Sequence, residues 1–244
     1  MADSERRPAF YAAEPGGWRD WWTVLHPPYT AWHLSYVVIG ASLAPHVDVV
    51  RMLATLLAFF AAVGVAAHAL DELHGRPLRT HIPTAALNAA TVAGLTVAVG
   101  LGVVGVTRVG VVLIPFIVVG PVLVAGYNLE LLGGRLHTDV GFAAAWGAFP
   151  LLTSYVAQTG TVSVGALLAA GAAFGVSYAQ RSLSTPARMV RRRSRRVEGT
   201  IVLDDGSVEP ITELSLLAPL ERALRSLSWA MVAFAAALAV TRLT

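Results

Sequence analysis

"MLATLLAFFAAVGVAAHALDELHGRPLRTHIP" (Met52–Pro83) is the stretch on which the fold turns. From Met52 to Leu70 it carries no acid and no arginine, and it approaches the ~20 apolar residues a helix needs to cross a hydrocarbon core. It then breaks into His68, Asp71, Glu72, His74, Arg76, Arg79 and His81. A membrane span that ends in a polar loop is the simplest reading.

The rest of the chain agrees. Of its 244 residues, 55% are hydrophobic and 14% charged, against about 25% charged in soluble domains. Six more apolar stretches run from about Tyr29 to Ala44, Pro83 to Val104, Val109 to Leu129, Val140 to Val156, Val162 to Ala179, and Leu224 to Val240. The expected fold is an all-α polytopic bundle of about seven spans. Its richness in Ala, Gly and Val favours close helix packing in lipid.

All eighteen basic residues are arginine, a pattern that coding bias explains best. With the N-terminus inside, fifteen fall on the cytoplasmic side and three (Arg51, Arg108, Arg242) outside, as the positive-inside rule requires. The expected location is a plasma membrane, multi-pass, with a cytoplasmic N-terminus. The basic pI then reflects loops facing anionic lipid, and nucleic acid is not an expected partner. Residues 1–22 hold no apolar core, so no cleaved signal peptide is expected. Cysteine is absent, which excludes disulfides and thiolate chemistry.

Four segments follow: an N-terminal cytoplasmic piece (1–22), a transmembrane core (23–185), an Arg-rich loop with a hairpin and an interfacial helix (186–226), and a last span (227–244). Val197–Thr212 reads as a small β-hairpin around the Asp204-Asp205-Gly206 turn, and Glu213–Ser226 as an amphipathic interfacial helix. "RMVRRRSRR" (Arg188–Arg196) reads first as an anchor on anionic lipid and second as a diphosphate clamp. "GLGVVG" (Gly100–Gly105) ends an apolar span with no strand before it, so it is not a dinucleotide fingerprint.

On a helix, His68, Asp71 and Glu72 share one face. His74 follows, and the next loop on the same side adds Glu130, His137 and Asp139. These seven are the candidate metal ligands: imidazole suits Zn or Fe, and carboxylates suit Mg, Mn or Fe. The bland alternative is a set of solvated loop residues in which Asp71 or Glu72 pairs with Arg76 or Arg79. His33, inside the first span, is equally well read as a packing residue.

"HALDELHGRPLRTHIP" (His68–Pro83) resembles the first acidic signature of the UbiA-type intramembrane prenyltransferase superfamily, acids followed by Arg76-Pro77-Leu78 and a turn into span three. Tyr127 at the end of span four, "GFAAAWGAFP" (Gly141–Pro150) and "LHPPYTAWHL" (Leu25–Leu34) extend the likeness across roughly residues 22–185. The sequence departs from that pattern in three ways. Histidine stands where the family has Asn-Asp, no carboxylate follows span six, and seven spans replace nine.

The resemblance implies an integral-membrane, metal-dependent enzyme that takes an isoprenoid diphosphate or other long apolar substrate at the cytoplasmic face. It implies Mg2+ as cofactor, and Asp71, Glu72, Arg76, Arg79 and Tyr127 as catalytic residues. His33, Asn88, Arg135 and Trp146 complete the candidate set as substrate-binding residues. Two other readings stand beside it. One is a His/carboxylate metalloenzyme using Fe, Mn or Zn for redox or hydrolytic chemistry. The other is a non-catalytic scaffold or partner subunit.

Overall fold

The computed structural model describes residues 8–131 and 133–244; Arg6 and Arg7, counted above among the cytoplasmic arginines, lie outside the described residues. Helices dominate: α1 (Trp18–Val24), α2 (Pro27–Ser42), α3 (Val49–Leu73), α4 (Thr84–Val109), α5 (Val111–Asn128), α6 (Asp139–Thr159), α7 (Val164–Arg193) and α8 (Glu213–Leu243). Between α7 and α8 stands one antiparallel hairpin, β1 (Thr200–Val202) and β2 (Val208–Pro210). Five helices (α3, α4, α5, α6 and α8) are long and apolar enough to cross a membrane.

The helices run alternately up and down, so their ends gather at two faces. At one face α3 begins and α2, α4, α6 and α8 end. There Arg51 donates to the carbonyls of Gln158 (3.0 Å) and Arg108 (3.1 Å), and Arg242 donates to that of Ser42 (2.9 Å). Each acceptor lies in the last turn of a helix, where carbonyls lack intrahelical donors and the helix dipole favours a cation. Two of the three expected outside arginines therefore act as helix C-caps. Arg108 also lies at this face, in the last turn of α4, and the opposite face, called the near face below, collects the other described arginines.

Helix α2 forms the axis. Trp32, Tyr36 and Ile39 pack against Leu151 of α6, Ala170 and Ala173 of α7, and Ala235 of α8. Hydrogen bonds tie the same contact: Trp32 Nε1 (2.7 Å) and Ser177 Oγ (2.9 Å) donate to Tyr36 Oη, and Ser154 Oγ donates to the Val37 carbonyl (2.7 Å). Glycines set the closeness. The Leu151 carbonyl occupies the space a Cβ on Gly40 would need, and α7 does the same at Gly147.

Two spans are not regular α-helix. Residues Phe60–Ala67 of α3 and Ala144–Ala148 of α6 form π-helical turns. Such turns free carbonyls from the regular ladder and occur often at functional sites. Nothing in the sequence pattern announces them.

The expected hairpin forms, with Gly206 at φ 83° closing the turn and Asp205 accepting from the Ser207 N–H (2.9 Å). Two other details differ from expectation. Residues 186–193, expected in a loop, are the last turns of α7. The segment 213–226, expected as a separate interfacial helix, is continuous with the last span, and α8 opens on a Thr212–Ser215 capping box.

A Cβ at Gly147 would sit 2.5 Å from Ser177 Oγ and 2.6 Å from the Ala173 carbonyl. Gly147→Val should therefore lower stability by about 1–3 kcal/mol, read as a reduced Tm in detergent. Gly171→Val, which meets nothing within 4 Å, should not.

Candidate functional site

A polar chamber of about 120 Å3 opens at the near face. Every spanning helix except α4 contributes to it, and residues 8–11 cover it from the N-terminal side.

Four histidines line it, each held by a specific contact. His68 sits one turn past the π-helical carbonyl of Gly64 and bonds it through Nδ1 (3.2 Å). His33 Nδ1 bonds the carbonyl of Trp146, inside the second π-turn (2.9 Å). His137 Nδ1 bonds the Tyr127 carbonyl (3.0 Å). A carbonyl only accepts, so in all three Nδ1 carries the proton and Nε2 presents a lone pair. The Nε2 of His137 already faces a guanidinium N–H of Arg181 (3.5 Å). Those of His33 and His68 have no hydrogen bond among the described residues.

His26 is the most constrained of the four. It caps α2 in the left-handed region (φ 47°), bonds Tyr11 Oη through Nδ1 (2.5 Å), and stacks on His68 with ring centroids 4.4 Å apart. A non-glycine residue held there signals strain that the surroundings pay for, and such strain clusters at functional sites. Burial, and then the neighbouring His68, push its pKa well below the usual imidazole value.

The arginines come from α7. Arg181, Arg188, Arg191 and Arg192 all line the chamber. Arg181 Nε donates to Asp139 Oδ1 (3.0 Å), Arg191 pairs with Glu221, and Arg192 Nε donates to the Pro8 carbonyl (3.1 Å). Arg188 makes no hydrogen bond or ion pair among the described residues. Asp71 projects into the same space, and its carboxylate likewise has no hydrogen-bond partner there. Its strongest charged neighbours are Arg188 and Arg192. Four guanidiniums against the chamber's own two carboxylates, Asp71 and Glu221, leave the chamber cationic.

The sequence-derived candidates separate accordingly. His33, His68, Asp71, Tyr127, His137 and Trp146 meet in the chamber. Glu72 does not. It is fully buried, and its carboxylate accepts from Leu78 N (2.9 Å), Thr80 N (2.9 Å) and Thr80 Oγ1 (2.8 Å), so it shapes the loop after α3. Arg76 supports the same loop by donating to the Ile82 carbonyl (2.7 Å) and Thr84 Oγ1 (3.0 Å). His74, Arg79, Asn88, Glu130 and Arg135 are exposed and outside the chamber. Asp139 acts through Arg181.

The seven candidate metal ligands are spread over several places in the structure. Glu72, Asp139 and His137 are committed to other partners, His74 and Glu130 are exposed, and among the described residues no three His, Asp or Glu gather around one point.

The run from Arg188 was read as a diphosphate clamp only second to a lipid anchor, and Arg181, ahead of the run, was not singled out. The available signal was periodic: Gln180, Arg181, Ser184, Ala187, Arg188 and Arg191 recur at helical spacing on one face. No family model matches this chain, and no curated protein or solved structure shows significant similarity to it.

Glu72→Gln would turn an NH2 group toward a loop N–H that now meets a carboxylate oxygen. It should cost about 1–3 kcal/mol, measured as a lower Tm, while leaving ligand binding in the chamber largely intact. The His26 imidazole is held uncharged in the fold and takes a proton once unfolded. The stability it contributes is complete above about pH 6.5 and is lost as pH falls below that. Tm should drop on acidification, and His26→Gln should flatten part of that drop.

Proposed function

We propose that the chain is a seven-span membrane enzyme, N-terminus cytoplasmic, whose chamber binds the phosphate or diphosphate head of an isoprenoid or similar long apolar substrate. The single observation that carries the reading is Arg188. It is a half-buried guanidinium with no partner carboxylate among the described residues, beside Arg192, in a chamber of net positive charge. A cation so placed is costly unless an anion joins it. Guanidinium groups match phosphate oxygens in bidentate geometry.

Helices α2 and α7 would be the two additional spans, and the fifteen-to-three arginine split supports the orientation. The capping roles of Arg51 and Arg242 account for two of the exceptions.

The UbiA-like resemblance supplies the reaction class. In prenyl transfer the C–O bond of the prenyl diphosphate breaks, and the diphosphate leaves with the electron pair. The prenyl carbon then bonds to an acceptor, which releases a proton. Arg188 and Arg192 would stabilise the charge growing on the leaving group. Asp71, with no hydrogen-bond partner of its own among the described residues, is the base available for the proton. Trp146, Tyr127 and Phe142 would keep water from the cationic carbon.

A second reading, a transition-metal enzyme, draws on His33 and His68. Each has Nδ1 tied to a carbonyl, the usual support for a ligating Nε2. Stoichiometric iron or zinc in purified protein would favour it over the arginine version.

The direct test is calorimetric binding of inorganic diphosphate to protein in lipid nanodiscs. Wild type should bind, Arg188→Gln should bind at least about tenfold more weakly, and Arg76→Gln should match wild type. Equal binding by Arg188→Gln, or none by wild type, overturns the proposal.

A further inference from the structure

The hairpin between α7 and α8 takes no part in the chamber. Residues 198–210 are all exposed, with Ile201, Val202, Leu203 and Val208 among them. Two strands of three residues each are marginal in water on their own. A bare strand edge is also a template for one more strand.

The two edges of the hairpin are not equivalent. Ile201 pairs with Glu209, the Leu203 N–H donates to the Ser207 carbonyl (2.9 Å), and the Ile211 N–H donates to the Gly199 carbonyl (2.8 Å). The odd-numbered positions of β1 therefore bond inward. In an antiparallel ladder that points the N–H and C=O of Thr200 and Val202 away from β2. The outer edge of β2 contains Pro210, which has no N–H to offer. The open edge is β1.

The sequence of that edge is complementary to itself. "RRVEGTIVLDD" (Arg195–Asp205) has two arginines at one end, two aspartates at the other and Thr200 at its midpoint. Laid antiparallel on a copy of itself about Thr200, it sets Arg196 beside the partner's Asp204 and Arg195 beside the partner's Asp205. The same match recurs at the other end. Val197 meets the partner's Leu203 between them. Centring the pair on Ile201 instead sets Glu198 against the partner's Asp204, acid on acid, which is unfavourable. Within the single chain, Arg195 and Asp204 have no hydrogen bond or ion pair among the described residues, and Arg196 pairs only with Glu198.

We propose that two copies of this chain join their β1 edges across a twofold axis at Thr200, forming one four-stranded antiparallel sheet at the near face. The contact is isologous, so each copy gives and receives the same charges. With the axis along the bilayer normal, both copies keep one orientation and the sheet lies parallel to the membrane. The proposal is independent of what the chamber binds.

The chain has no cysteine, so a single introduced one reports the contact without background. Opposite each other on the axis, the two Thr200 Cα atoms stand about 5.5 Å apart, inside the roughly 4.4–6.8 Å that a disulfide bridges. Full-length Thr200→Cys in liposomes under mild oxidation should form a linked dimer about tenfold faster than Val208→Cys, which is also exposed but lies one strand further from the axis. On the Thr200→Cys background, Arg196→Asp alone and Asp204→Arg alone should each slow the linkage by about fivefold or more, because both ends then set like charges together. Mixed one to one, the two charge variants should link to each other at the parent rate, since every end is again opposite in sign. That recovery also shows that both are folded. Equal rates for Thr200→Cys and Val208→Cys overturn the proposal. So does a Thr200→Cys rate that neither charge variant changes, or a mixture that links no faster than its components.

Discussion

In hydrocarbon there is no water to satisfy a polar group, so each one inside the bundle must find a protein partner. That constraint organises most of this molecule. Hydroxyls within the helices turn back onto their own backbone, as Thr55 does on Arg51, Thr91 on Leu87 and Ser228 on Leu224. At the far face, Arg51 and Arg242 spend their donors on helix-end carbonyls. Where two helices meet most closely, at Tyr36, the hydroxyl is shared by Trp32 and Ser177. The exceptions are few. Among the described residues, four buried side-chain atoms lack a partner: Ser42 Oγ, His26 Nε2, Tyr127 Oη and Gln180 Oε1. Ser42 lies at the far face. The other three belong to residues of the polar chamber, where Arg188 and Asp71 are also without hydrogen bonds. Ser42 apart, the rule that holds elsewhere is relaxed in one place.

How much of this the sequence reveals depends on the length of the signal. Met52–Leu70 is apolar for the full depth of a bilayer, so its span is legible, as are those of α4, α5 and α8. The hairpin is legible from one turn, Asp-Asp-Gly between β-branched runs. The partition of Asp71 and Glu72 is not. They are adjacent, both acidic, and one residue of rotation on α3 decides that Asp71 faces the chamber while Glu72 faces the loop. The π-helical turn just before them adds to that rotation, and a pattern read at 3.6 residues per turn does not foresee it. The arginines ranked second as a phosphate clamp for a different reason. A basic run at the end of a span is what a lipid anchor looks like, and only the extension of α7 to Arg193 brings Arg188, Arg191 and Arg192 inward with Arg181.

That extension bears on the chemistry of the site. In the superfamily that the sequence resembles, carboxylates after span two and span six hold divalent cations, and the cations hold the diphosphate. Here α7 carries Arg181, Arg188 and Arg192 and no acid, and the end of α3 contributes one chamber carboxylate, Asp71. A fixed guanidinium offers a phosphate the charge and the hydrogen bonds that a metal otherwise supplies, without a second set of anionic ligands to hold the metal in place. On the proposed reading, the inward turn of the α7 arginines supplies the positive charge that metal ions supply in that superfamily. Asp71 then needs no metal to hold, and it stands within the chamber where the head of an amphiphile would be cleaved from its tail.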